Sequence, residues 1–546
     1  MLRPLLIRFT PRRIWLIAAI LFSTILSASA QNPSAADDRG TGGRLVLVLP
    51  FDNRSGQPNL AWIGDSFPET LNQRLNSAGF LTITRDDRQY ALDHLGLPVD
   101  FRPTRATTIR IAQTLDADYV VVGSYTINNG RINVQAQVLQ INQLRLSAPL
   151  ADSNDLTRLF DVENSIAWKI ARQLDPKFSV ALQTFLSASS GVKLSSFENY
   201  IRGISANTVQ ERIKRLQLAV QETPTYSAAL LALGKAQYAE RDYEHAATTL
   251  SKVPTNDRLA LEANFYLGLA RFNAAKYAEA ESAFAFVASR LPLPEVVNNQ
   301  GVAASRQGHD ATPLFQRAST ADPNDADYHF NLAVSLLRRN DFNGAQREVD
   351  AALKLHPSDT EATDLRSRIA AGRNLPSVAS TATPAINSFD PLERIRRTYS
   401  EASFRQAAFQ LDQMRALRMA NLPPPQQATE YIQQGHDYLA QGLIPEAEQE
   451  FQSAISANPQ NAAAHAGLAQ VREHSGNPAD AVTEAQASIK LQPNAAAYLV
   501  LARIELGANH LSESALDVSK ALHLEPNNSA AQGMRQALQS RGQSVP

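Results

Sequence analysis

In "YHFNLAVSLLRRNDFNGAQREVDAALKLHPSD", Tyr328 to Asp359, small and large apolar residues recur at intervals that a helix turns into stripes. Positions three or four apart share a helical face. Leu332 and Leu336 therefore lie on one face of a first helix, and Ala345, Val349 and Ala352 on one face of a second, with Asn340-Asp341 as the turn between them. The two stripes predict a helical hairpin. Small Ala333 and Ala345 let the backbones approach. Pro357 lacks an amide donor and disfavours helical geometry at His356, so it ends the second helix. No two residues of the stretch form a catalytic pair, and its spacing is architectural.

Neighbouring stretches repeat the pattern. Leu267-Gly268, Ala280, Phe284 and Pro292 sit at the same offsets, as do Gly234, Ala246 and Leu250 before them. Gly301, Ala311, Phe315 and Pro323 form the unit between. A second series runs through Gly435, Tyr438, Ala447, Phe451, Ala454 and Pro459, then Leu468, Ala481, Ala485 and Pro493, then Leu501, Val518, Ala521 and Pro526. Degenerate units are expected at Tyr200 to Pro224 and at Leu392 to Met414. A unit of about 34 residues with Leu-Gly, a second-helix Ala, a large apolar residue and a terminal Pro resembles the tetratricopeptide repeat. The resemblance covers two arrays, 197–371 and 391–542. A single hairpin buries too little apolar surface, at about 25 cal/mol per Å², to offset the entropy of ordering it, so the units must stack. "TEATDLRSRIAAG" and "SAAQGMRQALQSRG" have the polar outer faces of terminal caps. Between the arrays, residues 372–390 are rich in Ser, Thr, Ala and Pro and read as an exposed linker.

Upstream the period changes. "RLVLVLPF", Arg44 to Phe51, is a short Val/Leu-rich strand, followed by turn-prone "DNRSGQ" and an amphipathic helix from Ala61 to Ser77. A second strand at Leu81 to Thr84 and helices near Tyr90 and over Thr107 to Leu115 come next. A hairpin then turns at Asn129-Gly130, and its alternation places Ile132, Val134, Ala136 and Val138 on one buried face. A further helix runs from Leu156 to Leu174. This order predicts an α/β sandwich with a mixed sheet over 44–186. "LVLVLPFDNRSGQ", "IGDSFPETLNQRL" and "LDADYVVVGSYTINNGRINVQAQVL" are similar to the strand, helix and hairpin signatures of the TolB N-terminal-like domain. That resemblance implies an interaction module found in envelope proteins and regulatory chains. The fold class expected is α+β overall, with the sandwich followed by two all-α superhelical arrays.

The first thirty residues read as an export signal. Arg3, Arg8, Arg12 and Arg13 precede the apolar run Ile14 to Leu26, and Ala28-Ser29-Ala30 is a small-x-small cleavage site before Gln31. The run is about 13 residues, short of the about 20 that cross a hydrocarbon core, so no stable span is expected after cleavage. Residues 31–43 form a polar lead. An exported, periplasmic or envelope-associated protein follows. With 52 basic and 53 acidic residues in 546, the chain has no excess positive charge with which to hold nucleic acid. It has no cysteine, which excludes disulfides, thiolate catalysis and a lipidated Cys anchor.

Motifs that carry chemistry are lacking. The ten histidines are scattered, and His465 and His474 share a helix without metal-ligand spacing. "GDSFP" lacks the second glycine of a nucleophile elbow, "GTGGR" does not join a strand to a helix, and neither Asp86-Asp87 nor Asp116 with Asp118 converges as an acid/base pair. No catalytic residue, cofactor or metal is expected.

Binding remains. In tetratricopeptide proteins the first helix of each unit lines a concave groove. Carried over, the partner-binding positions are Leu231, Lys235 and Tyr238; Phe265, Leu269 and Phe272; Asn298 and Val302; and Phe330, Val334 and Leu337. The second array offers the more polar Ile432, His436, Gln470, Glu473, Leu499 and Arg503. The aromatics are read as an exposed surface for an amphipathic helix or extended peptide, so that Glu at Phe265 and Phe330 leaves the fold intact; cover by the chain's own α/β domain is the competing reading. The function expected is a non-catalytic scaffold for envelope or periplasmic proteins. The alternatives are a small-ligand or hydrolytic site in the α/β domain, and a regulator anchored by an uncleaved leader.

Overall fold

The computed structural model describes residues 45–98, 104–187, 191–373, 392–397, 399, 410 and 413–546. The export signal, the polar lead with "GTGGR", and nearly all of the linker lie outside them.

The N-terminal sheet contains β1 (Leu45–Val48), β2 (Asp52–Asn53), β3 (Leu81–Thr82), β4 (Tyr119–Asn128), β5 (Arg131–Gln140), β6 (Arg145–Leu146) and β7 (Leu150–Asp155). Its order is β3-β1-β4-β5-β6, with β2 also on β4 and β7 also on β5. The strands β3, β1 and β4 run parallel, whereas β4 and β5 form an antiparallel hairpin from Tyr119↔Gln140 to Asn128↔Arg131. Asn129 and Gly130 turn it, both with positive φ (52° and 75°), as a two-residue hairpin loop requires.

Alternation in β1 serves both faces of the sheet. Val46 and Val48 pack with Phe67, Leu71, Leu75, Ile166 and Ile170 of helices Trp62–Ser77 and Leu159–Leu174. Leu47 packs on the other side with Ala91, Leu92, Ile111 and Ala112 of helices Arg85–His94 and Arg105–Thr114. The result is a helix-sheet-helix sandwich. Gly64 of "GDSFP" has a packing role, since a Cβ there would stand 2.4 Å from the Phe51 carbonyl oxygen.

Helix pairs follow. Leu194–Ile204 with Val209–Glu222 is the degenerate first unit, succeeded by Ser227–Ala239 with Tyr243–Leu250, Ala260–Asn273 with Tyr277–Arg290, Pro294–Arg306 with Thr312–Ala321, and Ala326–Arg338 with Phe342–Leu355, then the single helix Thr360–Arg373. The opening stretch is thus the hairpin its spacing predicts, and its second helix stops at Leu355, ahead of Pro357. The second series pairs Pro424–Ala440 with Ile444–Ala457, Ala462–His474 with Pro478–Leu491, and Ala495–Gly507 with Leu511–Leu524, and ends on Ser529–Ser540. Small residues matter at the crossings: a Cβ on Gly268 would lie 2.7 Å from the Phe284 ring.

Between the helices of every pair after the first the chain passes through left-handed geometry. Arg241, Ala275, Gly308, Asn340, Gly442, Gly476 and Asn509 all have φ between 57° and 80°. Ala275 occupies this position with a Cβ that costs about 1–2 kcal/mol there. Ala275→Gly is therefore expected to stabilise the chain by about 0.5–1 kcal/mol, after the extra entropy glycine loses on folding. A lowered midpoint in urea would contradict this.

One side-chain lock appears in both arrays. His329 Nδ1 lies 2.7 Å from Glu348 and Nε2 3.1 Å from the Pro323 oxygen; His465 Nδ1 lies 2.7 Å from Glu484 and Nε2 3.2 Å from the Pro459 oxygen. At His329 both partners are acceptors, so a protonated ring can donate to both at once. The hydrogen bond to Glu348 raises the His329 pKa above its ordinary value. Its contribution to stability is complete below about pH 6.5 and fades as pH rises through the raised folded value. His329→Gln should flatten this part of a melting-temperature profile between pH 5 and 9; an unchanged slope would mean that the lock does not titrate.

The parts are joined by more than the linker. Trp62 and Phe160 of the sandwich meet Phe197 of the first repeat helix, at ring distances of 6.2 and 4.7 Å, and one core runs from Val46 through Leu216 to Ala236. The second array grips the sandwich's tail: Glu448 accepts from Ala181 N at 2.9 Å and from the Thr184 hydroxyl, and Ser475 donates to Thr184 at 3.2 Å. Arg258 of the first array pairs with Glu446 and donates to Ser77 at 2.9 Å.

Candidate functional site: an occupied groove

The first helices of the first array hold a non-helical segment of their own chain. Residues 392–397 were expected to start a helical unit; they run without helix across the helices Pro294–Arg306 and Ala326–Arg338. Their backbone is gripped by side chains. Asn331 donates to the Arg394 oxygen at 2.8 Å and accepts from Arg394 N at 2.7 Å. Asn299 does the same for Arg396, with both bonds at 2.8 Å. Asn298 adds a bond to the Arg394 oxygen at 3.0 Å. All three asparagines are fully buried, so their amides need these partners. A helix over 392–397 would turn the same backbone groups inward and forfeit them.

Side chains are sorted by charge. The Glu393 carboxylate, with no exposed side-chain surface, meets Arg306 at 3.3 Å together with Arg338 and Ser305. Arg394 bonds Asp359 through both terminal nitrogens (2.7 and 2.9 Å), Asp327 at 2.9 Å and Glu361 at 2.9 Å, with its guanidinium 3.9 Å above the Phe330 ring. The Arg394 hydrogen bond holds the Asp359 carboxyl below its ordinary range. Ile395 packs against the clusters of Phe265 and Val302, Arg396 pairs with Asp325, and Tyr399 meets Phe265 at 5.5 Å.

The sequence-derived groove positions divide accordingly. Phe265, Leu269, Val302, Phe330 and Val334 are buried in the inter-helix core, and Leu231 is in the core with Leu230 and Leu250. The reading of Phe265 and Phe330 as an exposed aromatic surface is corrected: each fills the space between helices, and Arg394, Ile395 and Tyr399 cover the side facing the groove. The cover is the stretch between the arrays and not the α/β domain. Lys235 pairs with Glu262 at 2.8 Å, Tyr238 packs on Tyr243 and Tyr266, and Phe272 on Tyr277, all half-buried; Leu337 is half-buried too. Sequence reasoning placed Asn298 at the groove but missed Asn299 and Asn331. Their signal is an asparagine two residues before the small residue of the first helix, Gly301 or Ala333.

In the second array Arg503 holds Glu473 through two bonds of 2.5 Å, Leu499 is buried, and the His436 ring stands 5.1 Å from Phe451. Within the sandwich, Glu163 is enclosed between two helices, accepting from Ser66 and from Thr70 at 2.7 Å, and burial pushes its carboxyl up to about 7. Asp118 accepts from Leu45 N at 2.8 Å as a strand anchor. A hollow of about 120 Å³ lined by Asp118, Tyr119, Gln140 and Asn142 is smaller than the about 300–1,000 Å³ of small-molecule sites. Among the described residues no three His, Asp or Glu side chains are grouped to hold a metal ion, and no helix is long and apolar enough to cross a membrane.

Models of the tetratricopeptide repeat match residues 303–369, 432–496 and 475–529. The chain carries tetratricopeptide repeats. Such repeats make it a protein-interaction scaffold. Among solved structures, a tetratricopeptide repeat protein from Parabacteroides merdae is 14% identical, covering 61% of this chain and 100% of that one, with a TM-score of 0.22. YrrB, described as a TPR protein with an unusual peptide-binding site, is 14% identical over 37% of this chain and 98% of its own, with a TM-score of 0.28. The C-terminal domain of LpoB from Salmonella enterica is 22% identical over 24% of this chain and 91% of its own, with a TM-score of 0.19. No curated protein matches the chain.

Proposed function

We propose that this protein is an exported, non-catalytic adaptor that holds envelope proteins together by gripping extended segments of them in its repeat grooves. The observation that carries the reading is the asparagine clamp. Asn299 and Asn331 each give and take one hydrogen bond with a backbone amide, so the groove recognises an extended main chain whatever its side chains, and flanking charges select among sequences. The second array gives the chain a further, more polar repeat surface. The sandwich, read as a TolB N-terminal-like module, sets the first array's position through their shared core.

Export predicts a mature N-terminus at Gln31 and recovery in the periplasmic fraction; an intact leader in membranes would reject it. Crosslinking in intact envelopes followed by capture of the full chain tests the adaptor role. Specific envelope proteins retained by the wild type and lost from a chain lacking 424–546 or carrying an altered first groove support it. Recovery of the chain alone under every crosslinking condition would refute it.

A further inference from the structure

We propose that residues 392–399 are a displaceable ligand in cis, and that the first groove takes in trans an extended segment of a partner protein with the same order: an acid, an arginine, an aliphatic residue, a second arginine, and an aromatic three positions on. The proposal rests on the groove reading above and names what that groove selects. Glu393 enters a basic corner made by Arg306 and Arg338, while Arg394 enters an acidic one made by Asp327, Asp359 and Glu361. Next to Arg394, Ile395 fills an apolar seat, and Tyr399 closes against Phe265 and Tyr266.

Adjacent pockets of opposite charge fix both direction and register. A reversed or shifted strand would set Arg against Arg306 and Arg338, or Glu against three carboxylates, and like charges at such contacts oppose binding.

Three features mark the segment as ligand rather than scaffold. Its main chain is held by side-chain amides and not by a strand or helix of the fold. It adds no helix to the stack between Thr360–Arg373 and the second array. Its first described residue, Leu392, is 63% exposed and packs into no core. Emptying the groove would leave Arg306 beside Arg338, and Asp327 beside Asp359 and Glu361, without the opposite charges that now offset them, so the vacant site favours an occupant of this same chemistry. Tethering raises the segment's effective concentration to about the millimolar range, so a trans ligand must compete with it. Occupancy in cis then sets a threshold below which weak peptides are refused.

The test uses a fluorescein-labelled peptide of residues 391–400 and the full-length chain. Arg394→Glu with Ile395→Asp loosens the cis strand by reversing one charge and placing another in the apolar seat. The labelled peptide should bind this variant at least about tenfold more tightly than it binds the wild type. The same peptide carrying the two replacements should not bind, and adding Asn299→Ala and Asn331→Ala to the loosened chain should abolish binding of the native peptide. Equal binding to wild type and variant overturns the proposal. So does absence of binding to a variant whose helical circular dichroism is intact. Should the double variant fail to fold, a full chain with 392–399 replaced by Gly and Ser of equal length takes its place; failure of that chain to fold shows that the segment is core and also overturns the proposal. Envelope capture by the wild type is a separate readout that the second array alone can satisfy, so the adaptor reading stands or falls independently.

Discussion

Replacing Phe265 by Glu is expected to unfold the first array. Phe265 has no exposed surface, and its ring meets Phe284 at 5.9 Å, Tyr266 at 5.8 Å and Tyr399 at 5.5 Å within a core that includes Leu269, Ala280 and Val287. A carboxylate placed there has no cationic partner among these neighbours. It must remain charged at heavy cost or take up a proton and still lose the ring's packing, so the loss is about 4 kcal/mol or more. Because each repeat is stable only through its neighbours, the damage spreads to the adjoining units. Thermal melts followed at 222 nm should show a lost or strongly lowered transition for Phe265→Glu, whereas Phe265→Leu should keep most of the helix signal. A Phe265→Glu chain with wild-type melting would mean that the side chain points into the groove after all.

That outcome separates what the sequence makes legible from what it does not. Hairpins, their turns and their proline stops are local consequences of spacing, so Ala326–Arg338 and Phe342–Leu355 follow from the opening stretch alone. The same holds for β5, whose alternating residues are buried as read. Strand β7 escapes notice because "LADSND" has no apolar alternation; it is fixed by pairing to β5. The segment 392–397 is misread for a related reason. Its Arg and Glu residues have good helix propensity, yet the groove offers them opposite charges and offers their backbone three asparagines. Tertiary partners outweigh local preference. Hydrophobic periodicity is likewise blind to Asn298, Asn299 and Asn331, which are polar residues buried on a helix face. Aromatics at groove positions cannot be assigned to surface or core by position alone, since one ring can face both, as Phe265 and Phe330 do.

A second large effect is expected where the second array meets the tail of the sandwich. Glu448 is fully buried; its carboxylate accepts from Ala181 N at 2.9 Å, Thr184 and Gln452 at 2.9 Å, and forms an ion pair with Arg472 at 2.9 Å. Burial raises its pKa, while Arg472 pulls it down. Arg472→Met keeps the apolar length of the side chain and removes the charge, leaving a buried carboxylate without a cation. The cost should be about 3 kcal/mol at neutral pH. Removing Arg472 lifts the folded pKa of Glu448 further above the ordinary value near 4.5. A group whose pKa is raised on folding favours the folded state fully below its unfolded pKa and loses that contribution as pH rises through the folded one. The penalty should therefore be small near pH 4.5 and complete above the raised value. Adding Glu448→Gln should restore most of the lost stability at pH 7.5, because the amide oxygen still accepts from Ala181 N without carrying charge. Urea titrations of the three chains at both pH values read this directly. Equal penalties at the two pH values would show that Arg472 contributes packing alone, and a double variant no better than Arg472→Met would show that the charge on Glu448 is not what the second array must neutralise in order to hold the tail.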